Sequence, residues 1–184
     1  MRVISGRLKG RRLIAPAGMA TRPTADRIKE SVFNILAGSV QTKRVLDLFA
    51  GTGALGIEAL SRGAASAVFV DQAKAALSAI RCNIRKLGLV DRSRVIQWNI
   101  LKNLNCLIPE RNTFDLVFMD PPYETNAVSP ALAGLLSCGA LTAGCRVVIE
   151  HSSREPIAQP MGTLVLIDQR RFGKTLVSFM DSML

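Results

Sequence analysis

Asp120-Pro121-Pro122-Tyr123 places an acid, two prolines and an aromatic in one short run. The prolines stiffen the backbone and remove two N–H donors. The Asp120 carboxylate and the Pro121 carbonyl then stand as acceptors, beside a Tyr123 ring able to stack on a flat substrate. Such a site suits a planar amine, for instance the amino group of a nucleobase. The run ends the apolar stretch Phe114-Asp115-Leu116-Val117-Phe118-Met119, which reads as a buried parallel strand. Open α/β sheets bind ligands at the carboxyl ends of such strands. Asp before Pro-Pro is also a common turn opener and chain stop, so the four residues alone are either a turn or a site.

A second constellation lies upstream. Val45-Leu46-Asp47-Leu48-Phe49 runs as a strand into Ala50-Gly51-Thr52-Gly53-Ala54-Leu55-Gly56. Gly51, Gly53 and Gly56 fit G-x-G-x-x-G between a strand and a helix, and Asp71 follows at the end of the next strand. Glycines let backbone approach a ligand, and an acid so placed accepts both hydrogen bonds of a ribose diol. The motif alone permits a nicotinamide or flavin. Two details favour adenosine without a pyrophosphate, as in S-adenosylmethionine: Asp47 sits inside the first strand, and Asn99, followed by Ile100, closes the third, suited to the edge of adenine. A cationic sulfonium gains from acids near the loop.

Charge points to a partner. The chain of 184 residues carries a formal net charge of +10. Its first 44 residues hold ten bases (Arg2, Arg7, Lys9, Arg11, Arg12, Arg22, Arg27, Lys29, Lys43, Arg44) against Asp26 and Glu30, a net +8. The other 140 residues hold 14 bases and 12 acids. A localised basic segment is the footprint of a polyanion, above all nucleic acid; the plainer alternative is a solvated basic face.

No apolar stretch is long enough for a membrane span, and the N-terminus has no apolar signal-peptide core, so a cytoplasmic chain without a membrane partner is expected. Cys82, Cys106, Cys138 and Cys145 show no CxxC spacing, which argues against a zinc site and for reduced thiols. His151, the only histidine, reads as a structural residue.

The elements that would position these groups alternate. Arg2–Ile4 and Arg11–Ala15 read as a small hairpin around a Gly6–Gly10 turn, followed by a loop from Pro16 to Pro23. Thr24 is a candidate N-cap for a helix over Ala25–Leu36. Strands are expected at Arg44–Phe49, Ser66–Val70, Arg94–Trp98, Phe114–Met119 and Arg146–Glu150. Helices are expected at Gly53–Arg62, Ala73–Leu87, Ile100–Leu104 and Val128–Leu136. The alternation implies a parallel sheet with helices on both faces. Gly162–Gln169 and Thr175–Met180 are joined too closely for a crossover, so they form a hairpin and add an antiparallel member. The expected organisation is a basic hairpin and loop over 1–23 and a catalytic domain over 24–184.

Taken together, Phe49-Ala50-Gly51-Thr52-Gly53, Asp71 and Asp120-Pro121-Pro122-Tyr123 resemble the class I methyltransferases that modify exocyclic amino groups. More narrowly, the chain resembles the RsmD family of 16S rRNA guanine-N2 methyltransferases. The resemblance rests on Arg22-Pro23-Thr24 leading into Asp26-Arg27, then Phe33-Asn34, the run from Leu46 to Gly63, and the tail Phe172-Gly173-Lys174-Thr175. It implies a Rossmann-like α/β fold with a seven-stranded, mostly parallel sheet and a reversed last strand. It implies S-adenosylmethionine contacts at Phe49, Ala50, Gly51, Gly53, Asp71 and Asn99, with Thr52 and Ile100 beside them. Target contacts fall on Asp120, Pro121, Pro122 and Tyr123. RNA contacts are expected at Arg2, Arg7, Lys9, Arg11, Arg12, Arg22 and Arg27, with 16S rRNA in a small-subunit assembly intermediate as partner to a monomer. Asp71 stands where the family often has Glu, and Asn99 where many methyltransferases carry Asp. Two other readings stay open: an adenine-N6 methyltransferase, since the same tetrapeptide serves that reaction, and a non-catalytic RNA-binding assembly factor of the same fold.

Overall fold

Seven strands form one sheet in the order β3-β2-β1-β4-β5-β7-β6. The structure, a computed structural model, describes residues 1–16, 23–123, 125–157 and 161–183. In chain order the elements are α1 (Pro23–Ile35), β1 (Arg44–Leu48), α2 (Ala54–Ser61), β2 (Ser66–Asp71), α3 (Lys74–Lys86), β3 (Ser93–Gln97), β4 (Phe114–Met119), α4 (Val128–Ser137), β5 (Leu141–Ser152), β6 (Leu164–Phe172) and β7 (Thr175–Ser182). All neighbouring pairs are parallel except those of β7, which runs antiparallel to both β5 and β6. The final hairpin thus supplies the one reversed strand, inserted between β5 and β6.

The central strands are apolar throughout because helices and loops cover both faces. Leu46, Leu48, Val117 and Met119 pack into the α4 side, while Val45, Leu116 and Phe118 pack into the α1–α3 side. On that side the Phe33 ring lies 5.4 Å from the Phe118 ring. The chain leaves β1 for β2 and β3 in one direction, then returns to place β4 on the other flank of β1. Such a reversal of strand order opens a crevice at the carboxyl ends of the two flanking strands. Phe49 to Gly53 follow β1 and Asp120 to Tyr123 follow β4, so both constellations reach the same crevice.

Some local expectations need correction. The N-terminal reversal is present but narrow: one bridge joins Arg2 and Arg12, flanked by Val3 N–H to Arg11 O and Leu13 N–H to Met1 O. Full strands do not form because the segment's other donors are spent elsewhere. Ile4 and Ser5 donate to the Glu58 carboxylate, Leu8 to Ser61 Oγ and Ile14 to Asn83 Oδ1. Val3 and Leu13 are buried in the α1–α3 core. Gly6 (φ +78°) lies so close to α2 that a Cβ there would sit 2.0 Å from Ser61 O. Helix α1 begins at Pro23, a residue suited to a first helical turn, so Thr24 is inside the helix rather than capping it. Residues Ile100–Leu104 are turn and irregular backbone; the short helix is a 3-10 stretch at Asn105–Glu110, with Pro109 inside it. Arg22 and most of the expected loop before α1 lie outside the described residues.

Candidate active site

The loop after β1 is held in a strained shape. Phe49 (φ 57°), Gly51 (φ 56°) and Gly53 (φ 75°) are all left-handed, and for a residue with a side chain such as Phe49 this costs about 1–3 kcal/mol. The acids predicted from spacing maintain the shape. Asp71 Oδ2 accepts Gly51 N–H at 2.9 Å and Oδ1 accepts Ala73 N–H at 2.8 Å. Asp47, 2% exposed, accepts Gly56 N–H at 2.9 Å. Gly56 is needed for helix–sheet contact, because a Cβ there would fall 2.4 Å from the Phe69 ring. Asn83 on α3 ties the loop to the N-terminal segment through Thr52 O and Ile14 O.

Between this loop and the end of β4 lies a cavity of about 380 Å³. Phe49, Ala50, Gly51 and Thr52 line one side; Asp120, Tyr123, Glu150 and Thr175 line the other. Met1 and Lys29 also reach it. Gly53, Asp71, Asn99 and Ile100 are outside its lining, further along the carboxyl edge of the sheet. Asn99 Oδ1 is occupied by the N–H groups of Leu101 and Lys102, so only its amide nitrogen is left for a ligand.

No described residue donates to the Asp120 carboxylate or to the Pro121 carbonyl. Pro121 is buried and Pro122 exposed. Tyr123 is fixed through its hydroxyl, which donates to Glu150 Oε1 at 2.6 Å and lies 3.1 Å from Thr175 Oγ1. Asp120 is open to water on the cavity side, yet protein encloses its carboxylate on the other sides. That enclosure first, then Glu150 and Asp47, hold the acid well above the usual carboxylate range.

Sequence reasoning missed Glu150, Thr175 and Lys29. Lys29, counted among the basic residues, is 4% exposed; its ammonium donates to Arg2 O at 2.7 Å and lies 3.5 Å from Glu58. It therefore adds nothing to the outer basic surface. Arg2, Arg7, Lys9, Arg11, Arg12 and Arg27 are exposed. His151 is buried, with Nε2 at 2.9 Å from Ser178 Oγ and Nδ1 at 3.0 Å from Glu155 O, a structural residue as its sequence context implied.

Burial pushes the Asp47 carboxyl up to about 8, opposed by the Gly56 N–H and aided by Asp71. A folded-state value above the unfolded one means that the native protein binds the proton more tightly. Stability from this group is therefore full below the unfolded value and is lost as pH rises toward 8. Asp47→Asn keeps an acceptor for Gly56 without the charge. Denaturant unfolding at pH 5 and pH 8.5 should show the parent losing about 2–4 kcal/mol more than the variant over that interval; equal losses would refute the burial cost.

A family described as "Conserved hypothetical protein 95" matches residues 1–181. This chain belongs to that family, the RsmD family its sequence resembles. Within and around the family, the "Putative rRNA methyltransferase YlbH" of Bacillus subtilis (strain 168) is 37% identical over 178 residues, covering 97% of each chain. The "Ribosomal RNA small subunit methyltransferase D" of Escherichia coli (strain K12) is 33% identical over 150 residues, covering 82% of this chain and 74% of its own. Among solved structures, the "Putative methyltransferase yhhF from Escherichia coli" superposes with a TM-score of 0.85 at 29% identity, covering 99% of this chain and 97% of that one. The Rossmann-like family fold accounts for the reversed β7 and for the crevice between β1 and β4.

Proposed function

We propose that the chain transfers a methyl group from S-adenosylmethionine to the N2 amino group of a guanine in 16S rRNA. The observation that carries this reading is the Asp120 carboxylate, to which no described residue donates, facing a glycine loop across one cavity, with the Pro121 carbonyl next in the chain and likewise without a donor among the described residues. Groups so placed inside a protein normally have partners, and an amine with two hydrogens supplies them. The relatives' names, rRNA and small-subunit methyltransferases, support the class of reaction and substrate.

The residues present suit the donor. The left-handed turns at Phe49 and Gly51 bring backbone to the cavity wall, together with Ala50 and Thr52, and Gly53 turns the chain into α2 just beyond it. Asp71, placed by the backbone of Gly51 and Ala73, keeps acceptor capacity for a ribose diol. Asn99 offers its amide nitrogen to adenine, with Ile100 beside it. Asp47, Asp120 and Glu150 line the cavity with carboxyl groups whose proton affinity burial raises, and a cation among them draws them toward the ionised form. Bound S-adenosylmethionine supplies an electrophilic methyl on a sulfonium. Asp120 and Pro121 accept the two amino hydrogens, which favours a pyramidal nitrogen with an available lone pair. Tyr123 presents its ring for stacking, and Pro122 stiffens the turn between them. Asp120, with its raised proton affinity, is placed to take the proton that the nitrogen sheds on alkylation. Positioning and electrostatics supply most of the rate.

The exposed bases Arg2, Arg7, Lys9, Arg11, Arg12 and Arg27 would meet RNA phosphates, with Arg22 assigned the same role from sequence. RNA affinity should fall on the order of 10³-fold between 50 and 200 mM salt if about six phosphates are neutralised. An affinity that stays flat in a filter-binding titration over that range would remove this role. The reaction itself is tested by label transfer from S-adenosylmethionine to small-subunit particles, naked 16S rRNA and DNA. Label should enter the rRNA; label in DNA, or in none of them, would overturn the reading.

A further inference from the structure

Glu150 is a second carboxylate in the cavity that opens beside Asp120. Strands β4 and β5 are parallel, and Met119 pairs with Ile149 at the end of their ladder. The next residues, Asp120 and Glu150, therefore stand side by side on neighbouring strands, whose axes lie about 4.8 Å apart. Both side chains face the same cavity. Glu150 Oε1 accepts the Tyr123 hydroxyl at 2.6 Å, and no described residue donates to Oε2. The site thus holds one acceptor group for an amine and, immediately beside it, a carboxylate oxygen to which no described residue donates.

Guanine and adenine differ at this point. Guanine presents its N2 amino group next to N1–H, two adjacent donors. Adenine presents its N6 amino group next to N1, a donor beside a lone pair. Two adjacent acceptors match the first arrangement and oppose the second, because a carboxylate facing a lone pair has neither a hydrogen bond nor water.

We propose that Glu150 accepts the N1–H of the target guanine and so selects guanine over adenine at this site. The proposal rests on the guanine-N2 reading above and deepens it. Glu150 has two duties: Oε1 fixes Tyr123, and Oε2 reads the base.

Two variants separate these duties. Glu150→Gln can still accept the Tyr123 hydroxyl through its amide oxygen but turns an N–H donor toward the base. Tyr123→Phe keeps the ring and removes only the hydroxyl bond. The substrates are small-subunit particles assembled from transcribed rRNA, with guanine or adenine at the position that the unaltered chain methylates. Calorimetry with S-adenosylmethionine reports whether each variant retains an intact donor site. Glu150→Gln should lower kcat/KM on guanine by on the order of 100-fold and shift the guanine-to-adenine ratio toward adenine by at least that factor. Tyr123→Phe should lower both rates and leave the ratio unchanged. A Glu150→Gln enzyme with an unchanged ratio would overturn the proposal, since Glu150 would then act only through Tyr123. An unaltered chain that yields N6-methyladenosine would overturn the guanine-N2 reading itself and this proposal with it. That failure is visible without any variant.

Discussion

Asp120→Ala lowers kcat for methyl transfer by on the order of 10³-fold while the donor dissociation constant stays within about threefold. The expectation follows from the placement of the carboxylate. The Asp120 carboxylate accepts no hydrogen bond from a described residue, so its removal breaks none within the described fold. It lines the cavity opposite the glycine loop, so the donor's own contacts survive. Single-turnover methyl transfer paired with donor calorimetry checks both halves. A variant that turns over at near the parent rate would remove Asp120 from the chemistry, and one that no longer binds donor would make it a structural residue. The pH profile is a further readout. Enclosure and Glu150 raise the Asp120 carboxyl, and the proposed reaction uses its ionised form. The rate should therefore rise with pH through a limb above the ordinary carboxylate range, and Glu150→Gln should move that limb downward by removing the neighbouring charge.

Glu58→Ala produces the largest loss of stability, about 3–5 kcal/mol. Glu58 is wholly buried, and its two oxygens accept the N–H groups of Ile4 and Ser5 and the Arg62 Nε–H, at 2.7 to 2.9 Å. It also lies 3.5 Å from the buried Lys29 ammonium. Burial already pushes Lys29 below its usual value, against the pull of Glu58. Without Glu58, that ammonium loses its counter-charge while two backbone donors lose their acceptor. The segment carrying Arg2, Arg7, Lys9, Arg11 and Arg12 is then held to α2 only through Ser61, so RNA binding should weaken along with the fold. Urea unfolding measures the first effect and amide hydrogen exchange at Ile4 and Ser5 the second. A loss below about 1 kcal/mol, with both amides still protected, would show that Glu58 is not the clamp.

This clamp also marks where the sequence stopped being readable. The βα alternation, the glycine loop, Asp71 and the acidic tetrapeptide are local patterns, and each falls at the strand end its spacing implied. The reversed β7 was legible because Phe172 and Thr175 leave no room for a crossover. Contacts between segments more than 50 residues apart have no such local mark. Glu58, Ser61 and Asn83 are polar residues on two helices, and nothing in their spacing names a partner in the N-terminal segment. The signal available for Glu58 was its setting: Ala54 to Ser61 is otherwise apolar or small, which is the composition of a helix buried on all sides. Lys29 looked like one more surface base for the same reason. Glu150 stayed hidden because its proximity to Asp120 depends on β4 and β5 being neighbours, a fact of topology rather than of spacing. Ile100–Leu104 misled because Ile100 and Leu104 pack into the α4-side core from a turn rather than a helix.

The proposed site for alkylating a planar amine joins Asp120, Pro121 and Tyr123 with the glycine loop, and the central claim is that the amine is N2 of a guanine in small-subunit rRNA. The most direct measurement incubates the unaltered chain with radiolabelled S-adenosylmethionine and either small-subunit particles or naked 16S rRNA, digests the RNA, and separates the nucleosides. The account predicts label in N2-methylguanosine. Label in N6-methyladenosine, or no labelled nucleoside from either substrate, would contradict it.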